Sequence, residues 1–275
     1  MKERDLSLDV IRIVACVLVI SCHAPMASAH INIPFLVMMG YASIPAVGLF
    51  FMISGALLLP VKLDYITFLK HRLPKVVIPT LIWTMIYLMI KIDEDSSTVD
   101  LLRTIASIPF SVQGEGVLWF MYPLIGLYLL APILSSWIKT AADKELKLVL
   151  VLWGITLCFP LLSLWLEVNT STTGILYYFS GFGGYFLLGY ALKSRRVKIS
   201  LTAAMLVGIS GGALHLLLEH YAIEHGFFYV FWQESIFVAA LCCAYWILIP
   251  RITRYLTTGK AYSNIIRGGG GKKPG

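Results

Sequence analysis

Three ionisable residues stand in one apolar run near the start of the chain: Asp9, Arg12 and His23. A titratable group at membrane depth is costly, so it reads first as functional, with a partner to be named. Asp9 and Arg12 are three apart, hence neighbours on one helix face and able to pair. Arg12 and His23 are eleven apart. At about 100° per residue this is three turns plus roughly 20°, so both face one way, roughly 16 Å apart along the axis. Cys16 and Val19 fill the stripe between them. One helix thus carries a guanidinium near one membrane surface and an imidazole, the side chain that titrates near neutrality, in the other half. The same set also suits a proton or solute path. The plainer alternative is that Arg12 snorkels to the headgroups while His23 hydrogen-bonds a neighbouring helix.

Other polar residues carry weaker signals. Ser54-Gly55 offers a hydroxyl, but a small pair within a span more often lets helices pack closely, and no base adjoins it in sequence. Trp119 is placed either along an acceptor groove or in an outer aromatic belt, the belt being the safer reading. His215 and Glu219 are four apart at an outer helix end and can pair locally. The five-residue spacing of His220 and His225 does not put both imidazoles on one helix face, so no metal is expected there; these residues read as a solvated outer loop. Cys16, Cys22, Cys158, Cys242 and Cys243 lie in apolar runs without a Cys-x-x-Cys and read as small packing residues.

The elements that must position these groups follow from composition. Of 275 residues 58% are hydrophobic and only 13% charged, with a mean hydropathy of +0.80. A soluble domain carries about twice that charged fraction, which argues against a soluble enzyme, and the aromatic content argues against disorder. The expectation is an all-α polytopic transmembrane bundle, since long apolar runs rather than ten-residue alternating strands dominate. Spans are read near Leu8–Ala27, Tyr41–Leu59, Val76–Ile92, Val117–Ile138, Leu146–Leu166, Ile175–Leu192, Leu201–Leu218 and Phe228–Ile249. The third is short, with Pro79 placed in its first turn, where proline does least harm. The first resembles a secretory signal ending at Ala27-Ser28-Ala29, but Asp9 and Arg12 interrupt its apolar core, so it reads as a retained helix.

Eight spans with both termini cytoplasmic put all but three of the 22 Lys and Arg on the inner side, the exceptions being Lys91, Arg103 and the intramembrane Arg12. The outer loops carry Asp93, Glu94, Asp95, Asp100, Glu115, Glu167, Glu219 and Glu224. The net charge of +7 therefore marks a cytoplasmic face against membrane lipid and calls for no nucleic-acid partner. Asn169-Thr170-Ser171 is a glycosylation sequon that has meaning only in a eukaryotic secretory host.

Several segments, in order, resemble the acyltransferase-3 family of membrane O-acyltransferases. Leu8-Asp9-Val10-Ile11-Arg12 followed by Ser21-Cys22-His23 is similar to the family's opening Asp-x-x-Arg and His. Gly48-Leu49-Phe50-Phe51-Met52-Ile53-Ser54-Gly55 resembles its second-span signature closing in Ser-Gly. His71-Arg72-Leu73-Pro74-Lys75 followed by Pro79 is similar to its basic third-span entry, with Lys75 where Arg is usual. Leu118-Trp119-Phe120 with Tyr128-Leu129-Leu130-Ala131-Pro132, and later Tyr185-Phe186-Leu187-Leu188-Gly189-Tyr190, resemble two further motifs. The short form without an appended domain is closest to bacterial enzymes that O-acetylate surface polysaccharide, such as enterobacterial common antigen.

The resemblance implies a bacterial inner-membrane enzyme that moves an acyl group, commonly acetyl from cytoplasmic acetyl-CoA as donor substrate, onto a sugar hydroxyl of an envelope glycan or lipid-linked acceptor. No bound cofactor is implied. Carried over by position, His23 is the catalytic base and Arg12 its motif partner; a direct transfer and an acyl-imidazole relay both remain open. Asp9, Arg72, Lys75, Ser54 and Trp119 are the substrate-binding candidates, with the cations expected to meet CoA phosphates. For Arg72 and Lys75 the alternative is positive-inside anchoring. A transporter or flippase using the same Asp, Arg and His is the other functional reading, although no matching pair of broken spans accompanies it; a non-catalytic scaffold is the blandest. The family usually has about ten spans, whereas here Lys260-Ala261-Tyr262-Ser263 leads into Gly268–Gly271 and Lys272-Lys273-Pro274-Gly275. The expectation is a C-terminally incomplete membrane domain over 1–258 and a low-complexity tail over 259–275.

Overall fold

Within lipid a spanning backbone must satisfy its own hydrogen bonds, and the apolar runs here do so as helices. The structure is a computed structural model and describes residues 5–23, 40–91, 97–109, 118–167, 174–221 and 230–258. Among the described residues the long elements are α1 (Leu6–His23), α2 (Ala46–Leu58), α3 (Tyr65–Arg72), α4 (Pro74–Lys91), α5 (Thr98–Ser107) and α6 (Met121–Thr140). They continue with α7 (Asp143–Thr156), α8 (Phe159–Leu166), α9 (Gly183–Lys193), α10 (Leu201–His220) and α11 (Ile236–Thr258). Seven segments among the described residues are long and apolar enough to cross a membrane, which establishes the polytopic all-α class.

The sixth expected span departs from this pattern. Ile175–Leu192 is not one long helix but a 3-10 turn at Tyr177–Phe179, a bend at Gly181 with φ +87°, and the eleven-residue α9. A helix of that length rises only about 16 Å. Its residues from Gly184 to Gly189 are buried, so it is a core element surrounded by protein rather than a lipid-facing span. Two smaller corrections concern proline and helix ends. Pro74, not Pro79, takes the first position of α4; Pro79 lies inside the helix. The first helix is described to His23, and the expected continuation to Ala27 falls outside the described residues, as do the sequon and the tail over 259–275.

The chain divides into two compact units, Met1–Ala56 with Lys147–Gly275, and Leu57–Leu146. In the first, α11 receives both α1 and α10. The buried residues of α1, Leu8, Ile11 and Ala15, recur at the spacing of one helix face. The centre of this unit is the crossing of α2 and α9. A Cβ built on Gly55 would run into the Phe186 carbonyl, and one on Gly189 into the Met52 carbonyl, so each glycine admits the backbone of the other helix. Phe51 stacks on Phe182 beside the crossing, ring centroids 4.7 Å apart.

In the second unit α3 and α4 run on from one another through Leu73, whose amide bonds Leu69 O and whose carbonyl accepts from Val76 and Val77. Both helices pack on α6, and the Val61 amide donates to Ser135 Oγ of α6. An additional amphipathic helix, α5, carries exposed Val99 and Leu102. Ser97 is its N-cap: Ser97 Oγ accepts the Asp100 amide and donates to the Asp100 carboxylate.

Asp64 caps α3 by accepting the Thr67 amide at 3.0 Å, and that hydrogen bond holds its carboxyl below the ordinary aspartate range. The folded carboxyl therefore ionises more readily than the unfolded one. Its contribution is complete above the unfolded value of about pH 4 and is lost as pH falls through the lower folded value. Amide-exchange protection at Thr67 and Phe68 is expected to drop on acidification in that window. In Asp64→Asn, which still caps but does not titrate, it should stay level; an identical pH profile for both proteins would refute the assignment.

Candidate functional site

The first helix delivers its ionisable residues as the spacing predicts. Arg12 Nη1 meets Asp9 Oδ1 at 3.5 Å, one turn into α1. Both lie off the buried Leu8, Ile11 and Ala15 face, the Arg12 side chain 45% exposed and the Asp9 side chain 20%. His23 closes the described part of the helix and is exposed. The rise of the helix sets it roughly 16 Å from Arg12 along the axis. The packed face of α1 is thus distinct from the positions of Asp9, Arg12 and His23.

Ser54 sits in the same unit, half-buried on α2. Its neighbour Gly55 supplies the close helix approach, so the packing role of the Ser-Gly pair belongs to the glycine and leaves the hydroxyl of Ser54 a separate matter.

The other three candidates belong to the second unit. Arg72 ends α3 and Lys75 lies in the first turn of α4; both are exposed. Because the two helices run on through Leu73, a separation of three residues places their side chains on one side of the rod. Lys70, His71 and Arg72 make the last turn of α3 basic, which complements the helix dipole, whereas Lys75 at a helix start does not. Trp119 is half-buried in the turn before α6, edge-on to Phe120. The α6 residues from Met121 to Ser135 separate it from the Val61–Ser135 junction by roughly 21 Å. Trp119 is therefore at the other end of α6 from that junction.

Two polar features were not legible as such in the sequence. His215 is 3% exposed. Its Nε2 meets the Tyr41 hydroxyl across a separation of 174 residues, and Phe231 stacks on Tyr41 at 4.4 Å and stands edge-on to the imidazole. The expected local contact with Glu219 involves a side chain outside the described residues; the imidazole itself lies in a buried aromatic cluster. The reason is long-range: Tyr41 and Phe231 come from other segments and exclude solvent from the ring. Glu234, in the turn before α11, lies beside Gly181, where an added Cβ would stand 3.6 Å from its Oε1.

The cysteines divide. Cys242 and Cys243 are buried packing residues, Cys242 Sγ lying 3.3 Å from Pro45 O. Among the described residues Cys16 is exposed on α1, on the side away from its packed face, rather than buried as a packing residue.

Residues 5–255 match a family model described as an acyltransferase domain, that of acyltransferase-3. No curated protein and no solved structure matches the chain.

Proposed function

The chain belongs to the acyltransferase-3 family, and from that membership we propose that it transfers an acetyl group from acetyl-CoA to a sugar hydroxyl of a cell-envelope polysaccharide or glycolipid. As a membrane acyltransferase it must bring a water-borne thioester to an acceptor at the membrane. The observation that carries the reading is the composition of α1: the Asp9–Arg12 pair and His23 lie off the packed face of a helix long enough to span.

A sugar hydroxyl is a poor nucleophile. His23 accepts its proton as the oxygen attacks the thioester carbonyl; the new C–O bond forms, the C–S bond breaks, and the CoA thiolate leaves to take up a proton. In the relay form the imidazole attacks first and passes the acetyl group on. Asp9 holds the Arg12 guanidinium, a fork suited to phosphate oxygens. In the second unit the candidates by family resemblance are Arg72, a fork for phosphate oxygens, and Lys75, a point charge. In this reading both termini face the cytoplasm of a bacterial inner membrane, where acetyl-CoA is made available.

Detergent-purified protein incubated with labelled acetyl-CoA and an envelope glycan acceptor tests the proposal. Label is expected on the glycan as an alkali-labile ester. Solute uptake into proteoliposomes without any label transfer would assign a transporter instead.

A further inference from the structure

A groove of about 710 Å³ runs along the first unit, between α7, the turn after α9, and the faces of α10 and α11. One end is cationic: Lys147, Arg195, Arg196 and Lys198 line it. The remainder is apolar, with Trp153, Leu157, Leu188, Val207 and Ala240 among its walls, and no carboxylate lines it among the described residues.

Its length can be read from the backbone. Lys147 and Leu157 are ten residues apart, so the groove extends roughly 15 Å from the cations to the level of Leu157. The Ile236 amide bonds Leu157 O at 3.1 Å, which brings the head of α11 to that same level. Fifteen ångströms is half of a bilayer's hydrocarbon core, which is about 30 Å thick. The groove therefore has the depth of one leaflet, with its positive charge where that leaflet's headgroups lie.

From this geometry we infer that the groove seats one anionic phospholipid, its phosphate at Arg195, Lys198 and Lys147 and an acyl chain along Trp153 and Gly154. Topological anchoring accounts for cations in a loop, but it does not call for a leaflet-deep apolar channel beneath them. Guanidinium forks take phosphate oxygens in pairs, and a chain in the channel adds apolar contact. The site lies apart in sequence from Arg12, Arg72 and Lys75, and its occupant does not depend on which acyl group is transferred.

Gly154 supplies the sharpest probe. A Cβ there meets nothing within 4 Å, so Gly154→Leu projects into open space and fills the channel while leaving every cation in place. The full chain is reconstituted in phosphatidylcholine vesicles containing an equal small fraction of either dibrominated phosphatidylglycerol or dibrominated phosphatidylcholine, and tryptophan quenching is compared. Stronger quenching by the brominated phosphatidylglycerol is expected, through Trp153. Each neutralised cation should weaken that preference about fivefold, so Arg195→Gln with Lys198→Gln removes it, whereas Arg195→Lys with Lys198→Arg keeps most of it. Gly154→Leu should lower quenching by the anionic lipid with the cations intact. Equal quenching of the wild-type chain by the two lipids would overturn the assignment. So would relief of the anionic-lipid quench by stoichiometric acyl-CoA, which would make the groove a donor site, or by inorganic phosphate alone, which would make it a simple anion site.

Discussion

Replacing His23 by Ala is expected to lower acetyl transfer by about 10²–10⁴-fold, the usual contribution of a positioned general base, and to the limit of detection if an acyl-imidazole forms. The protein should still insert and pack. His23 is exposed at the end of the described part of α1, whereas the helix is held through Leu8, Ile11 and Ala15. Loss of activity with unchanged yield and thermal stability therefore separates a chemical role from a structural one. Transfer at the wild-type rate in this variant would end the case for His23 as base. Trapping helps to tell the two routes apart: labelled acetyl retained on the wild-type chain without acceptor, and absent from His23→Ala, identifies the relay. The prediction is large because His23 is the one imidazole in α1: Asp9 and Arg12 are paired and differ from it in chemistry.

The second large effect is on stability. Gly55→Ala or Gly189→Ala is expected to destabilise the protein by on the order of 4 kcal/mol or more, read as a fall in the folded fraction on heating in detergent. In both cases the new methyl meets a backbone carbonyl, Phe186 O or Met52 O, and not the far end of a flexible side chain. A rotamer change cannot relieve such a collision; α2 and α9 would have to separate. Gly126→Ala on α6 provides the contrast. A Cβ there meets nothing within 4 Å, so the substitution should be neutral or stabilise the helix by roughly 0.5–1 kcal/mol. Equal stability of Gly189→Ala and Gly126→Ala would show that the α2–α9 crossing is looser than described.

The same two glycines show why parts of the fold were readable in advance. Gly55 closes the second-span signature and Gly189 lies in the Tyr-Phe-x-x-Gly-Tyr element, two motifs more than 130 residues apart that resemble family patterns for no reason visible in either alone. In the folded chain each makes room for the other's helix. Tyr185, from the second motif, also donates to Gln233 O and meets Trp153 edge-on, ring centroids 4.9 Å apart. Motifs legible as strings prove to be the two sides of one contact.

By itself the sequence determined the membrane class, most of the spans and the Asp9–Arg12 pair. Each of these depends on local chemistry: apolar runs long enough to cross lipid, and a three-residue spacing that any helix turns into neighbours. The tertiary structure alone decided that Ile175–Leu192 becomes a short buried helix, because hydropathy records that a segment leaves water but not whether lipid or protein receives it. It alone placed His215 against Tyr41 and Phe231, since contacts across 174 residues leave no periodic trace in either segment. The leaflet-deep groove under Arg195 and Lys198 has the same origin: the cations are visible in the string, but a cavity is the space between helices, and no residue encodes it singly.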